Sequence, residues 1–84
     1  MKYYEELIQR ICMVLEERLY VNVEYTESVE GYELTVSSQH DEGLMKNYKV
    51  HYRDLERNEP VLNISQNIVS SFTADYRDSI YRPN

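Results

Sequence analysis

Residues 20–53 read YVNVEYTESVEGYELTVSSQHDEGLMKNYKVHYR, and this stretch decides the fold. Apolar and polar residues alternate in three runs within it, which is the period of a half-buried β-strand. β-Branched and aromatic residues fill the apolar positions, and both suit a pleated surface with one buried face. These positions are Val21, Val23 and Tyr25 in the first run, Tyr32, Leu34 and Val36 in the second, and Tyr48, Val50 and Tyr52 in the third. The stretch therefore predicts three antiparallel strands joined by two turns.

Both glycines of the chain fall in the predicted connections. Asp41, Glu42 and Gly43 fit a three-residue hairpin loop with Gly43 in the left-handed conformation, and residues 28–31 fit a slightly longer turn. A register that keeps the apolar residues together follows from these turns. The predicted pairs are Val21–Val36, Val23–Leu34 and Tyr25–Tyr32 in the first hairpin, and Val36–Tyr48, Leu34–Val50 and Tyr32–Tyr52 in the second.

Two amphipathic helices flank the strands. Apolar residues recur at helical spacing over residues 2–19 and again from Ser65, and Pro83 predicts the end of the second helix. Residues 60–64 fit two interpretations. Pro60 can open the last helix at its first position, or these residues can form a fourth, edge strand, which the poor helix propensity of residues 61–64 slightly favours.

The predicted fold class is therefore α+β. It has an N-terminal helix, a three-stranded antiparallel meander (four-stranded in the second interpretation) and a C-terminal helix. Because the sheet has one apolar face, both helices are expected to pack on it as a second layer. The other face of the sheet is expected to meet solvent.

Length and composition limit the function classes. The 84 residues carry a formal charge of −6, which argues against direct binding of a nucleic-acid backbone. A chain this short forms one domain, here residues 1–84, with little room for a deep substrate cavity. The single Cys12 forms no internal disulfide or CxxC-type metal site, and this favours a reducing cytoplasm. No signal peptide, transmembrane stretch or membrane contact is predicted.

One row of side chains on the open face could carry chemistry. The predicted register places Glu24, Glu33 and His51 side by side, where two carboxylates and an imidazole could bind a divalent cation or form an acid–base pair. The alternative function is thus a small metal-dependent or acid–base enzyme. Lys49 and Arg53 lie diagonally across and can neutralise the acids, so a solvated face without a functional role is the simpler explanation of the row. The turn residues 40–42 form a weaker metal candidate.

Motifs for nucleophilic catalysis or phosphate binding are absent from the sequence, since no serine stands in a GxSxG elbow and both glycines belong to hairpins. We therefore expect a non-enzymatic protein that needs no cofactor.

The first hairpin carries the main functional prediction. Residues 20–43 contain six acidic residues and neither Lys nor Arg. A dense patch of one sign steers partners of the opposite charge. The predicted partner-binding residues are Glu24, Glu27, Glu30, Glu33, Asp41 and Glu42. We expect them to dock on a basic protein surface, such as a groove that otherwise holds nucleic acid. Self-association through an exposed sheet edge is a further possibility.

The order helix–three strands–helix resembles the double-stranded RNA-binding domain. The Lys-rich start of that family's last helix is replaced here by Ser65, Gln66 and Asn67, so RNA binding is not implied. Small acidic inhibitors encoded by phages and mobile elements, including anti-CRISPR proteins and DNA mimics, are similar in size, charge and architecture. This resemblance implies a small cytoplasmic inhibitor that binds a protein.

Overall fold

The computed structural model describes residues 2–39 and 44–81, with side chains for residues 3–39 and 44–77. Its elements are helix α1 (Lys2–Leu19), strands β1 (Val21–Glu27), β2 (Gly31–Ser38) and β3 (Met45–His51), a short helix α2 (Tyr52–Leu55), and helix α3 (Pro60–Tyr81). The antiparallel sheet has the order β1-β2-β3, and α1 and α3 pack together against it. The predicted α+β class and meander are confirmed. No helix in the described part is long and apolar enough to cross a membrane.

Helix α1 matches its predicted bounds. Ile8, Ile11 and Leu15 are fully buried at helical spacing, so one stripe of the helix faces the sheet. The helix ends where Tyr20 adopts a left-handed backbone conformation with φ 55°, and its N–H bonds the Glu16 carbonyl at 3.1 Å. This is the usual geometry of a helix C-terminus, here made by a residue other than glycine.

Strand β2 is the centre of the sheet and its most buried strand. Leu34 and Val36 are fully buried and Tyr32 nearly so, because neighbouring strands flank them and the helices cover them. Burial of an aliphatic side chain of this size contributes about 1.5–3 kcal/mol. The alternation seen in the sequence is therefore the alternation of burial along β2.

The register of both hairpins differs from the prediction by two residues. Val23 pairs with Val36 and Tyr25 with Leu34 in the first hairpin. In the second, Leu34 pairs with Tyr48 and Tyr32 with Val50. Both predicted registers are thus wrong, although the predicted buried face is right. A shift of two leaves each side chain on its original face, so the apolar pattern cannot detect it.

Gly31 is required for the register that the second hairpin takes. It starts β2 opposite His51, and a Cβ built on it would lie only 2.1 Å from the Val50 carbonyl oxygen. Only glycine permits the strands to approach so closely. The ladder then ends with the Tyr52 N–H bonding the Glu30 carbonyl at 3.1 Å, and Tyr52 begins α2 instead of extending β3.

Helix α3 begins at Pro60, so the fourth-strand interpretation of residues 60–64 is wrong. Proline suits the first turn of a helix because its missing N–H has no helical partner there. Glu59, with φ 48°, turns the chain into the helix, and its carbonyl accepts the Asn63 N–H at 3.0 Å. Burial of Ile68 and Phe72 overrides the weak propensity of the first turn. The predicted loop at 41–43 and the stop at Pro83 lie outside the described residues.

We predict that Gly31→Ala destabilises the protein by about 2 kcal/mol or more, because the methyl group must push the two strands apart. Thr26→Ala, an exposed change on the same sheet, should stay within about 0.5 kcal/mol. Urea unfolding of both variants tests this. Equal stability of the two variants would show that the close approach at Gly31 does not exist in solution.

At Ser65 we predict a substitution that increases the stability of the protein. Ser65 is 1% exposed, and its Oγ makes no hydrogen bond. Because an unsatisfied buried hydroxyl costs free energy and alanine favours helices, Ser65→Ala should stabilise the protein by about 1 kcal/mol. Ser70→Ala on the exposed side of α3 serves as the control for helix propensity alone. A loss of stability at position 65 would mean that the hydroxyl has a partner in solution.

Candidate functional site

The predicted row of Glu24, Glu33 and His51 is not formed. Glu33 lies directly opposite Lys49, whereas Glu24 lies opposite Thr35 in the adjacent row. His51 instead pairs with Gly31, and its Nδ1 lies 4.0 Å from an oxygen of Glu30. The two-residue shift in register separates the three groups that the enzyme hypothesis required. In the described part of the chain, no three His, Cys, Asp or Glu side chains converge as a metal site would need.

The predicted partner-binding acids occupy different places. Glu24 is exposed on the open face of β1, and Glu33 is half-buried beside Lys49. A Glu27 oxygen accepts a 2.7 Å hydrogen bond from the Tyr52 hydroxyl, and Glu30 stands exposed at the hairpin turn. Asp41, Glu42 and the turn residue His40 lie outside the described residues. The hairpin is thus acidic, but not as one continuous stripe across the sheet.

Helix α1 adds two carboxylates that the sequence analysis missed. Glu16 accepts the Val23 N–H at 3.3 Å, and Glu5 accepts the Tyr25 hydroxyl at 3.0 Å. Both therefore lie against β1, the strand that also carries Glu24 and Glu27. We call these four residues the acidic edge. Their signal in the sequence was weak, because it required knowing which side of α1 faces β1.

The positive charges lie elsewhere. Within the described residues, Lys46 Nζ lies 3.9 Å from an Asp75 oxygen and His51 Nδ1 lies 4.0 Å from a Glu30 oxygen, and Lys and Arg pair with no member of the acidic edge. Arg10 and Arg18 leave α1 on its other side, where they line an apolar groove beside α3. Lys46 and Lys49 lie on β3, with Arg53 and Arg57 after it. Within the described residues, these cations therefore lie away from the acidic edge.

A row of tyrosine rings closes the end of the molecule that carries the first hairpin. The rings of Tyr25, Tyr32, Tyr52 and Tyr4 follow one another with centroid separations of 6.0, 6.0 and 5.3 Å. Such edge-to-face and tilted contacts stabilise beyond the area they bury. The hydroxyls of Tyr25, Tyr52 and Tyr4 each donate to a carboxylate, respectively Glu5, Glu27 and Glu56. Of the acidic edge, Glu5 and Glu27 are thus held by the aromatic row.

Cys12 is an inert thiol. It is buried in the core, and this burial raises its pKa to about 11. Since the thiolate is the reactive form, the protonated thiol at neutral pH supports a packing role.

Two concave surfaces lie away from the acidic edge. One is a cleft of about 610 Å³ between β3, the turn after α2 and α3. The other is the apolar groove of about 410 Å³ between α1 and α3, which includes Leu62. At the turn between β1 and β2, Val29 is 95% exposed.

Comparison with models of known protein families, with curated proteins and with solved structures found no match. The resemblance to the double-stranded RNA-binding domain therefore remains one of element order. Because α3 begins at Pro60, the positions to compare with that family's Lys-rich helix start are 60–64, and they carry no Lys or Arg either.

The bond between Tyr52 and Glu27 makes a testable prediction about titration. The hydrogen bond to Glu27 raises the pKa of Tyr52 from 10.0 to about 12, because ionisation would break it, and desolvation and the negative charge of Glu27 add to the shift. The pKa of Tyr52 is higher in the folded protein than in the unfolded chain. The bond therefore stabilises the fold fully below about pH 10, and this stabilisation is lost as the pH rises through about 12. Glu27→Gln should lower the pKa of Tyr52, which the tyrosine ring carbon signals in NMR report. Glu30→Gln is the control and should leave it unchanged.

Proposed function

We propose that this chain is a small protein-binding module whose acidic edge docks on a basic surface of a partner protein. The observation that carries the proposal is that Glu5 and Glu16 of α1 contact β1, the strand of Glu24 and Glu27, and that none of the four has a Lys or Arg counter-charge in the described part of the chain. Ordinary surfaces intersperse both signs. A segregated patch produces a field that steers a basic partner into contact.

Rigidity of the acidic edge supports the same proposal. Hydrogen bonds to β1 and to the aromatic row fix Glu5, Glu16 and Glu27, so little side-chain entropy remains to be lost on binding. Val29 follows this edge at the hairpin turn and offers an apolar contact beside the charges. Both the fixed carboxylates and the exposed valine suit a docking surface better than a purely solubilising one.

The kind of partner follows from charge. A basic protein groove that otherwise binds nucleic acid is the surface most complementary to a fixed row of carboxylates, which would take the place of phosphates. We therefore infer an inhibitor-like module of the type found in phages and mobile elements, without enzymatic activity. We place it in the cytoplasm, a proposal that rests on the single buried Cys12.

The proposal predicts that binding depends on the acidic edge and not on net charge. A variant with Glu16, Glu24 and Glu27 changed to Gln loses three charges but keeps each acceptor oxygen. A matched variant with Glu6, Glu17 and Glu59 changed to Gln loses the same charge elsewhere. Wild type and both variants serve as bait for the lysate of the encoding organism at low and high salt, and association rates with each captured protein are measured.

A basic partner should be captured by the wild type and by the matched variant, released by salt, and bound more slowly by the edge variant. If all three baits retain the same proteins equally, or if none retains a basic protein at low salt, the acidic edge has no docking role.

A further inference from the structure

The cleft beside β3 is a concave surface at the β3 edge of the sheet, whereas the acidic edge lies at the β1 edge. Its volume of about 610 Å³ falls within the range of about 300–1,000 Å³ that ligand sites occupy. Three walls enclose it: residues 48–50 of β3, residues 54–58 of α2 and the following turn, and the first half of α3.

The wall formed by β3 is a free strand edge. The Ser38 N–H donates to the Leu44 carbonyl, and the Tyr52 N–H donates to the Glu30 carbonyl. These two bonds show which residues on this side of the hairpin direct their backbone groups toward β2. Even-numbered residues of β3 therefore direct their N–H and C=O groups to β2, and odd-numbered ones direct them outward. His51, the last of the odd set, donates its N–H to an oxygen of Asp54 at 3.1 Å. The outward groups of Asn47 and Lys49 face the side on which the cleft opens.

The wall formed by α3 is polar at helical spacing. Asn63, Asn67 and Ser71 recur every four residues and line the cleft together with Gln66. Amide and hydroxyl side chains both donate and accept hydrogen bonds. An extended backbone presents N–H and C=O groups alternately on its two sides. A peptide in this cleft could thus bond β3 on one side and the side chains of α3 on the other.

The charges in the cleft indicate that the bound peptide is acidic. Lys49 and Arg57 line the cleft, and its acid, Asp54, already accepts the His51 N–H. Arg57 takes part in no ion pair within the described residues, so its charge is available to a ligand. An acidic side chain on the bound segment would complement these two cations.

We propose that the cleft binds an extended, acidic peptide segment of a partner protein, which adds to β3 as a fourth strand and is held from the other side by Asn67 and Ser71. Strand addition at a sheet edge beside a helix is an established mode of peptide recognition. This site uses a different surface from the acidic edge and does not depend on the function proposed for it. A second copy of this chain is a poorer occupant, because Lys46 and Lys49 would bring like charges to a shared edge.

The experiment starts from a phage-displayed library of random short peptides, panned against the full chain. Recovered peptides are synthesised and titrated into isotope-labelled protein, and amide shifts are followed by NMR. The selected peptides should contain Asp or Glu and lack proline in their centre. Shifts should centre on Asn47, Lys49 and the Asn67 side chain.

Two pairs of variants test the mode of binding. Asn47→Pro removes the outward N–H but no ladder bond, a change that edge strands tolerate, and Asn47→Ala keeps the N–H as its control. Arg57→Glu reverses a charge in the cleft, and Arg53→Glu makes the same reversal outside it. We expect Asn47→Pro and Arg57→Glu each to weaken peptide binding about tenfold or more and the controls to leave it nearly unchanged.

If Asn47→Pro fails to fold, the comparison of Arg57→Glu with Arg53→Glu tests the proposal. The proposal is overturned if panning recovers no peptide, if the shifts map to the acidic edge, or if Arg57→Glu binds as wild type does. It is also overturned if β3 proves to be covered by a second copy, seen as a dimer in sedimentation that Asn47→Pro abolishes.

Discussion

The close approach of β2 and β3 at Gly31 is the constraint on which the remaining structure depends. A side chain at this position would collide with the Val50 carbonyl, so the register exists only because residue 31 is glycine. With Gly31 opposite His51, the ladder ends at Tyr52 and the chain turns into α2. Helix α2 then brings the Tyr52 ring between those of Tyr4 and Tyr32, and buries Leu55 in the core. One backbone contact thus connects the sheet, the aromatic row and the path to α3.

The same constraint decides what the open face of the sheet can do. Alternation of side chains has a period of two, so a shift of two residues preserves the buried set and changes every neighbour on the exposed face. Glu33 moves from a position beside Glu24 and His51 to one beside Lys49. The sequence therefore contains enough information for the fold and for the buried face, but not for a site built from cross-strand neighbours. The steric demand of a single glycine supplied the missing information.

Other differences between prediction and structure have similar causes. The N-terminal helix was predicted to the residue, because its apolar stripe and its end are local features. The start of α3 at Pro60 is ambiguous in the sequence, because its first turn has weak helix propensity and is stabilised by burial farther along the helix, at Ile68 and Phe72. The carboxylates of Glu5 and Glu16 were not assigned to the first hairpin, since contact between α1 and β1 is tertiary. Local signals were readable in the sequence, and the non-local ones needed the assembled core.

The two edges of the sheet differ in the side chains that stand beside their outward backbone groups, and this difference organises the surface. At the β1 edge, Glu16 accepts the Val23 N–H, and carboxylates border the strand. At the β3 edge, Asp54 occupies only the His51 N–H, and the outward groups of Asn47 and Lys49 stand beside the polar wall of α3. Carboxylates beside the first edge make it an electrostatic surface, whereas the second edge stands beside the amide and hydroxyl side chains of α3. A three-stranded sheet with both helices on one face leaves both edges accessible, so one small domain can present two chemically distinct surfaces.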